Sequence, residues 1–332
     1  MNTAIVILNW NGKHLLEEFL PSVVNFSQGY EIYLVDNAST DDSVAFVKQN
    51  HKKVKIIELD KNYGYAEGYN SAVKKIDADI FCFLNSDVLV TENWIEPVVD
   101  LFKNDAKTSI IQPKILDQQH PNQFEYAGAA GGFIDQLGYP YCRGRIFETL
   151  EKDTGQYNDN RPIFWASGAC FFVRKKTFDT LNGFDETFFA HMEEIDFCWR
   201  AHNAGFGVMY TGNSTVYHVG GASLSKGNSK KTYYNFRNSL YALTKNSNHP
   251  LFVVILIRLI LDGIAGVSFL FSAKGKHTLA IIKAHAGFYA ALPKLLNFRK
   301  QQQRAAYDGE KSIVWSYFVK RKKVFFRLKN IS

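Results

Sequence analysis

Four short apolar runs, each stopping at polar residues, constrain this chain more than any other feature. They are Ala4-Ile5-Val6-Ile7-Leu8 before Asn9, Glu31-Ile32-Tyr33-Leu34-Val35 before Asp36 and Asn37, Lys55-Ile56-Ile57-Glu58-Leu59 ahead of Asn62, and Ile80-Phe81-Cys82-Phe83-Leu84 before Asn85-Ser86-Asp87. Runs of this length, rich in β-branched and aromatic residues, read as buried strands. Between them the spacing turns helical. Leu15, Leu16, Phe19, Leu20 and Val23 share one face, a second segment capped by Ser39 or Thr40 reaches Gln49, and a third opens at Asn62 and ends near Lys75. Strands alternating with helices over residues 4–87 predict a parallel, doubly wound α/β sheet with right-handed crossovers.

In such a sheet the carboxyl ends of the strands lie side by side, and ligands bind beyond them. Asn9, Asp36, Asn37, the glycines after Asn62, Asn85 and Asp87 are therefore expected to line one crevice. Taken alone, Asn85-Ser86-Asp87 is equally readable as a turn or as the cap of a helix starting near Glu92. An Asp at the end of the second strand suits a nucleobase N–H or a ribose hydroxyl. The first turn, Asn9-Trp10-Asn11-Gly12, lacks the Gly-x-Gly-x-x-Gly pattern of dinucleotide binders, which argues against hydride transfer.

Further along, a helix is expected over 94–102, a strand over 109–116 and long loops over 117–160, a length that usually signals function. A strand over 163–174 contains the small residues Ala166, Ser167 and Gly168. Glu193, Glu194 and Asp196 then open a helix whose face carries Ile195, Cys198 and Trp199. Acidic first turns are common for electrostatic reasons alone. Here, however, the carboxylates crowd together after Phe188-Phe189 and His191. Carboxylates held without water need a cation or a proton, the condition that creates general bases and metal sites. Short strands are expected over 208–210 and 215–219, and His218 by itself reads as structural.

These segments together resemble family 2 of the inverting, nucleotide-sugar-dependent glycosyltransferases, in particular its rhamnosyltransferase-like members. The likeness rests on Val6-Ile7-Leu8-Asn9-Trp10-Asn11-Gly12, Val35-Asp36-Asn37-Ala38-Ser39-Thr40-Asp41, Asn62-x-Gly64-x-Ala66-x-Gly68-x-Asn70, Leu84-Asn85-Ser86-Asp87, Ser167-Gly168-Ala169 with Arg174, and Gly183-Phe184-Asp185-Glu186 leading to Glu193-Glu194-x-Asp196 and Arg200. It covers about residues 3–223 and implies a GT-A-type nucleotide-binding fold. It also implies a nucleotide-sugar donor site at Asn9, Asp36, Asn37, Asn62, Gly64, Asn70 and Asn85, with Asp36 on a uracil or thymine base. Asp87 matches the last carboxylate of the family's Asp-x-Asp, which holds Mg²⁺ or Mn²⁺ on the diphosphate, and Asn85 stands where the first Asp is usual. His218 matches a histidine that completes the metal shell. The family's Glu-Asp pair falls on Glu193-Glu194, either of which can be the catalytic base. Trp165, Ser167, Gly168, Asp196 and Arg200 fall on the acceptor side.

The charge divides unevenly. From residue 273 onward fourteen Lys/Arg face two acidic side chains, a net of +12 that leaves −5 for the rest of a chain of net charge +7. The apolar stretch 251–271 is long enough to span a bilayer, yet Arg258 and Asp262 lie in its middle. With the helix expected over 280–298 and the tail Lys320-Arg321-Lys322-Lys323 among Trp315, Phe318 and Phe326, a peripheral or monotopic attachment fits best. A true span or a homo-oligomer interface is the alternative. No nucleic-acid recognition module accompanies the basic tail. Met1-Asn2-Thr3 leads into the first strand without a basic n-region, and the four cysteines show no metal spacing, so the cytoplasmic face of the membrane is the expected location. The expected organisation is a catalytic domain over 1–228 and a basic, helical region over 229–332. The expected activity is transfer of a sugar from a UDP- or dTDP-sugar to a glycan or lipid-linked acceptor. The rivals are a nucleotidyltransferase and a membrane-bound glycan-binding protein with a decayed site.

Overall fold

The computed structural model describes residues 1–220, 228–307 and 309–328. Asp308 and Lys329 of the basic tail and the last positions of the span 3–223 lie outside them. The first half alternates as the sequence predicts: β1 (Thr3–Asn9), α1 (Lys13–Phe26), β2 (Glu31–Asp36), α2 (Ser43–Asn50), β3 (Lys55–Glu58), α3 (Gly64–Val73) and β4 (Ile80–Asn85). A turn at Ser86 and Asp87 leads straight into β5 (Val88–Val90), so the next helix, α4 (Glu96–Asn104), starts later than Glu92. Then come β6 (Thr108–Asp117), β7 (Gly132–Ile134), β8 (Pro140–Cys142), β9 (Arg145–Ile146), β10 (Thr149–Leu150), β11 (Asn160–Pro162), β12 (Cys170–Arg174), α5 (Lys175–Thr180), α6 (Glu193–Asn203) and β13 (Gly207–His218). The chain continues through α7 (Ser229–Asn246), α8 (Leu251–Phe271) and α9 (Gly275–Gln301).

The main sheet runs β11-β13-β6-β12-β4-β1-β2-β3, with β5 paired to β13. β3, β2, β1 and β4 are parallel, whereas β12 runs antiparallel to β4 and β6. Register brings the polar strand ends level: Asn9 pairs with Asp36, Asp36 with Glu58, and Leu8 with Asn85. Successive residues of each central strand enter opposite cores. Val6, Val35, Phe81 and Phe83 pack on one face, and Ile5, Ile7, Leu34, Cys82 and Leu84 on the other. Burial of both faces is why these strands read as continuous apolar runs. The four cysteines are buried thiols.

Three expectations change. The segment 117–160 carries a small sheet, β10-β9-β8-β7, whose strands of two or three residues are too short to leave a period. Only Cys170–Arg174 of 163–174 is strand, because Trp165 pairs back to Gly132 and Ser167 turns its N–H to the side chain of Gln112, 2.8 Å away. The two strands expected over 208–219 are one strand, β13, bulged between Thr211 and Thr215.

In the C-terminal region α7 buries Asn238 through Asn246, packing mainly on α9 while Asn238, Lys245 and Asn246 reach residues 188–196. α8 buries one stripe, Val254, Arg258, Asp262 and Gly266, at a spacing of four. The charges in its middle thus face protein. Arg258 Nε donates to Asp262 Oδ1 (3.0 Å), Nη1 to the carbonyl of Leu137 (3.0 Å) and Nη2 to Ser239 Oγ, while Tyr139 Oη donates to Asp262 Oδ1 (3.0 Å). The opposite face of α8 exposes Phe252, Leu256, Ile260, Ile264, Val267 and Phe271. α8 and α9 are both long and apolar enough to cross a membrane.

Candidate active site

The β1 and β2 ends build a polar shelf. Asp36 Oδ2 accepts the N–H of Ser39 (2.9 Å), and Asn9 Nδ2 reaches Asp36 Oδ1 (3.3 Å) and Ser39 Oγ (3.2 Å). Asn37 Nδ2 donates to Asn62 Oδ1 (3.1 Å) and to the carbonyl of Gly64 (3.0 Å), and Asn37 Oδ1 accepts the N–H of Tyr63 (2.9 Å). These contacts lock the loop before α3 onto β2. Gly64 has φ +73°, and a Cβ there would lie 2.7 Å from the carbonyl oxygen of Phe189, so the position excludes side chains. Asn70 is elsewhere: it exchanges hydrogen bonds with the backbone of Phe184, 2.9 Å in each direction, and so fixes the Gly183–Glu186 loop rather than a nucleotide.

Asp87 is only 5% exposed. The pairing of β5 with β13 sets His218 opposite Val88 and brings His218 Nε2 to 3.1 Å from Asp87 Oδ1. On the far side of the ring, His218 Nδ1 lies 3.4 Å from Glu125 Oε1, close enough to pair charges but outside hydrogen-bond geometry. Burial alone would lower the imidazole pKa, yet the carboxylates of Asp87 and Glu125 raise it to about 10. Among the described residues no three His, Cys, Asp or Glu side chains form a closed metal cage. An open site of this kind suits Mg²⁺ or Mn²⁺, which take one or two protein ligands and leave the remainder to phosphates and water. Asp87 would hold such an ion, and His218 would join it only once the cation displaced the proton that Asp87 and Glu125 favour on the ring.

The third group stands at the start of α6. Burial and the charge of Glu194 push the Glu193 carboxyl far up, and burial raises Glu194 to about 7. Glu193 Oε2 and Glu194 Oε2 are buried without a hydrogen-bond partner among the described residues. Neighbouring His191 is lowered to about 4 by burial and by the charge of Lys231, so it brings no positive charge to the pair. A Cβ on Gly168 would lie 3.8 Å from the Glu194 carboxyl carbon and 3.1 Å from Tyr65 Oη, which donates to the Gly168 carbonyl (2.9 Å). Gly168, Tyr65 and Glu194 therefore share one wall. The preceding loop is strained: Phe189, His191 and Met192 have φ of 60°, 67° and 74°. Each such conformation costs on the order of 1–3 kcal/mol for a residue with a side chain.

Four residues expected on the acceptor side point elsewhere. Trp165 is 5% exposed, fills the slot opened by Gly132 and donates from Nε1 to the carbonyl of Phe133 (2.8 Å), so it is core rather than a sugar platform. Ser167 is buried, with its hydroxyl donating to the Ala127 carbonyl. Asp196 is fully buried and accepts from Arg200 Nε (2.8 Å), Lys245 Nζ (2.7 Å) and Asn246 Nδ2 (2.8 Å). Arg200 is spent on that contact and on the carbonyls of Leu181 and Gly183. Lys245 also pairs with Asp185 at 2.6 Å, and against the effect of burial it holds that carboxyl down to about 2. Sequence reasoning missed Glu125, Tyr65, Asn238 and Lys245. Tyr65 lay inside the flagged Asn62–Asn70 stretch, while the others carried no local signal.

A mixed sheet with a polar shelf, an Asp–His pair and a buried carboxylate pair near the carboxyl ends of its strands has the architecture of a GT-A-type glycosyltransferase. The sequence profile of Glycosyl transferase family 2 matches residues 4–181, more than half of the chain, and the protein belongs to that family. It is a glycosyltransferase that takes its sugar from a nucleotide-linked donor. Among curated relatives, the N-acetylglucosaminyl-diphospho-decaprenol L-rhamnosyltransferase of Mycobacterium tuberculosis is 26% identical over 222 residues, covering 62% of this chain and 72% of the relative. The low-salt glycan biosynthesis hexosyltransferase Agl10 of Haloferax volcanii is 22% identical over 209 residues, covering 62% of this chain and 63% of its own length. Among solved structures, S. aureus TarS in complex with UDP-GlcNAc superposes with a TM-score of 0.55 at 14% identity, over 90% of this chain and 84% of that one. GalNAc-T7 with UDP, GalNAc and Mn²⁺ gives 0.56 at 15% identity, over 74% of this chain and 48% of that one, so this chain spans about half of its length. At these identities the two structures speak for the fold alone.

Proposed function

We propose that the protein is a metal-assisted, inverting glycosyltransferase that moves a sugar from a UDP- or dTDP-sugar to a lipid-linked glycan acceptor at the cytoplasmic face of a membrane. What carries this reading is that Asp36 and Asp87 stand at the carboxyl ends of β2 and β4, with His218 beside Asp87 and Glu194 against Gly168, whose neighbour Ala169 accepts the N–H of Asn85. Asp36 and Asn9 offer the nucleobase a buried carboxylate and amide, and the backbone around Asn37 and Gly64 shapes the ribose side. Asp87 and His218 would hold Mg²⁺ or Mn²⁺, which when bound supplies Lewis-acid neutralisation of the nucleoside diphosphate leaving group.

The base is Glu194. Its partner Glu193 is pushed well up by burial beside a like charge, which disfavours the charged form a base needs, whereas Glu194 at about 7 is available in both forms. Glu194 takes the proton of an acceptor hydroxyl as that oxygen attacks the anomeric carbon. The bond to the diphosphate breaks on the opposite side, and the configuration inverts. The lipid-linked acceptor is supported by the printed activity of the decaprenol-linked rhamnosyltransferase relative. Membrane attachment is supported by the exposed apolar face of α8 and by the basic charge of the C-terminal tail. With Arg258 and Asp262 turned into protein, α8 is read as lying on the bilayer through its exposed apolar face.

Asp87→Ala tests the reading. It should abolish Mn²⁺-dependent transfer and make nucleotide-sugar binding, followed by calorimetry, indifferent to Mn²⁺. Wild-type turnover in this variant would remove the metal role.

A further inference from the structure

We propose that Asn238 of α7 is a positioning residue for the catalytic carboxylates, holding residues 188–192 in the one conformation that delivers Glu193 and Glu194 to the crevice. The inference rests on the reading of that pair as the site of the base. Asn238 is fully buried. The two N–H groups of its Nδ2 are shared among three carbonyls of the loop, those of Phe188 (3.0 Å), Ala190 (2.9 Å) and His191 (2.7 Å). Its Oδ1 accepts from Arg237 Nε (2.9 Å). Three carbonyls on one side and a guanidinium on the other fix which end of the amide faces the loop.

The loop needs such a clamp. Phe189, His191 and Met192 all lie in the left-handed region, and conformations of this kind persist only where the surroundings over-determine them. Met192, the residue that opens α6, contributes no side-chain cap, so the first turn carrying Glu193 and Glu194 is placed by the loop itself. From the opposite side Tyr65 N–H holds the Phe189 carbonyl (3.1 Å), and Arg237 Nη2 reaches the carbonyl of Thr187 (3.3 Å). Asn238 touches neither carboxylate and is placed to act only through the backbone. The next residue, Ser239, receives Arg258 of α8, so one turn of α7 ties the apolar C-terminal helix to the loop that aims the base.

The test is steady-state kinetics of full-length Asn238→Ala, with Asn238→Asp as an isostere that exchanges the donor for an acceptor facing the same carbonyls. Glu193→Gln and Glu194→Gln are run in parallel. Positioning predicts a kcat lower by about 100-fold, the scale of a misplacement of about 1 Å. It also predicts an acid limb of the kcat profile shifted downward as the freed carboxylates meet water, with donor Kd in Mn²⁺ within twofold of wild type. Asn238→Asp should behave alike, and it serves if the alanine variant does not fold. Wild-type kcat and acid limb in either folded variant overturn the proposal. So does a loss of donor affinity in proportion to kcat with an unmoved acid limb, the pattern of general destabilisation. If both glutamine variants retain wild-type turnover, the base reading fails and the proposal with it. If either stops transfer while Asn238→Ala matches wild type, the positioning role alone fails.

Discussion

The turn Asn85-Ser86-Asp87 joins β4 to β5 and at the same time presses the Asp87 carboxylate against His218. From sequence the same three residues read equally as turn and as site; Ser86 and Asp87 form the turn, and because the β5 that follows pairs with β13 the same turn sets Asp87 beside His218. Strand ends made Asp36 and Asp87 legible, since a polar residue that stops a buried strand has few places to go. Glu125 left no such mark: it sits in a segment without periodicity, and its meaning comes from a histidine supplied by β13. Trp165 misled for the converse reason. An aromatic beside small residues can be a sugar platform or core, and only the slot left by Gly132 decides between them. Glu125→Gln keeps the shape but removes the charge behind the ring. It should weaken Mn²⁺ binding in the presence of nucleotide by about 10–100-fold, read by calorimetry, with metal-free nucleotide affinity unchanged. An unaltered Mn²⁺ affinity would reduce Glu125 to a packing residue.

Among the elements, α8 was legible in extent and length but not in orientation. Its Arg258 and Asp262 are visibly four residues apart, yet their partners come from Leu137, Tyr139 and Ser239, far away in the chain. Once those contacts are known, the costly charges of a membrane span become the docking face of a helix whose other side is apolar apart from Ser268. Ile260→Asp with Ile264→Asp alters only that exposed side, where the two residues are 55% and 61% exposed. Each isoleucine is worth about 1.5–3 kcal/mol when fully buried. The pair should therefore lower binding to vesicles containing anionic lipid by at least about tenfold, measured by co-sedimentation, with an unchanged melting temperature. Undiminished binding would take α8 out of the membrane contact. The edge of α6 was legible as a crowded acidic turn, but Asp196 was grouped with its neighbours although it points the other way. A helix start puts adjacent residues on different faces, and Lys245 of α7 draws Asp196 into the interior.

At the scale of the whole molecule, alternation alone was enough for the parallel half of the sheet, because its strands are buried on both faces and its crossovers are local. The antiparallel half was harder. β12 inserts between β4 and β6, and β13 pairs with β6 and β5, through contacts between distant segments. The expected boundary fell at 228, yet α7 holds the catalytic loop through Asn238 and pairs Lys245 with Asp196 of α6, so the two regions are proposed to work as one unit. Their common product is a carboxylate poised at the crevice. The most direct measurement compares Glu194→Gln with wild type in Mn²⁺, following donor binding by calorimetry and kcat across pH. The account predicts donor affinity within twofold of wild type and transfer lost in the variant. It also predicts that wild-type kcat falls as pH drops through about 7, where Glu194 takes up its proton. Transfer at the wild-type rate by Glu194→Gln, or a wild-type kcat that stays flat through that range, would contradict it.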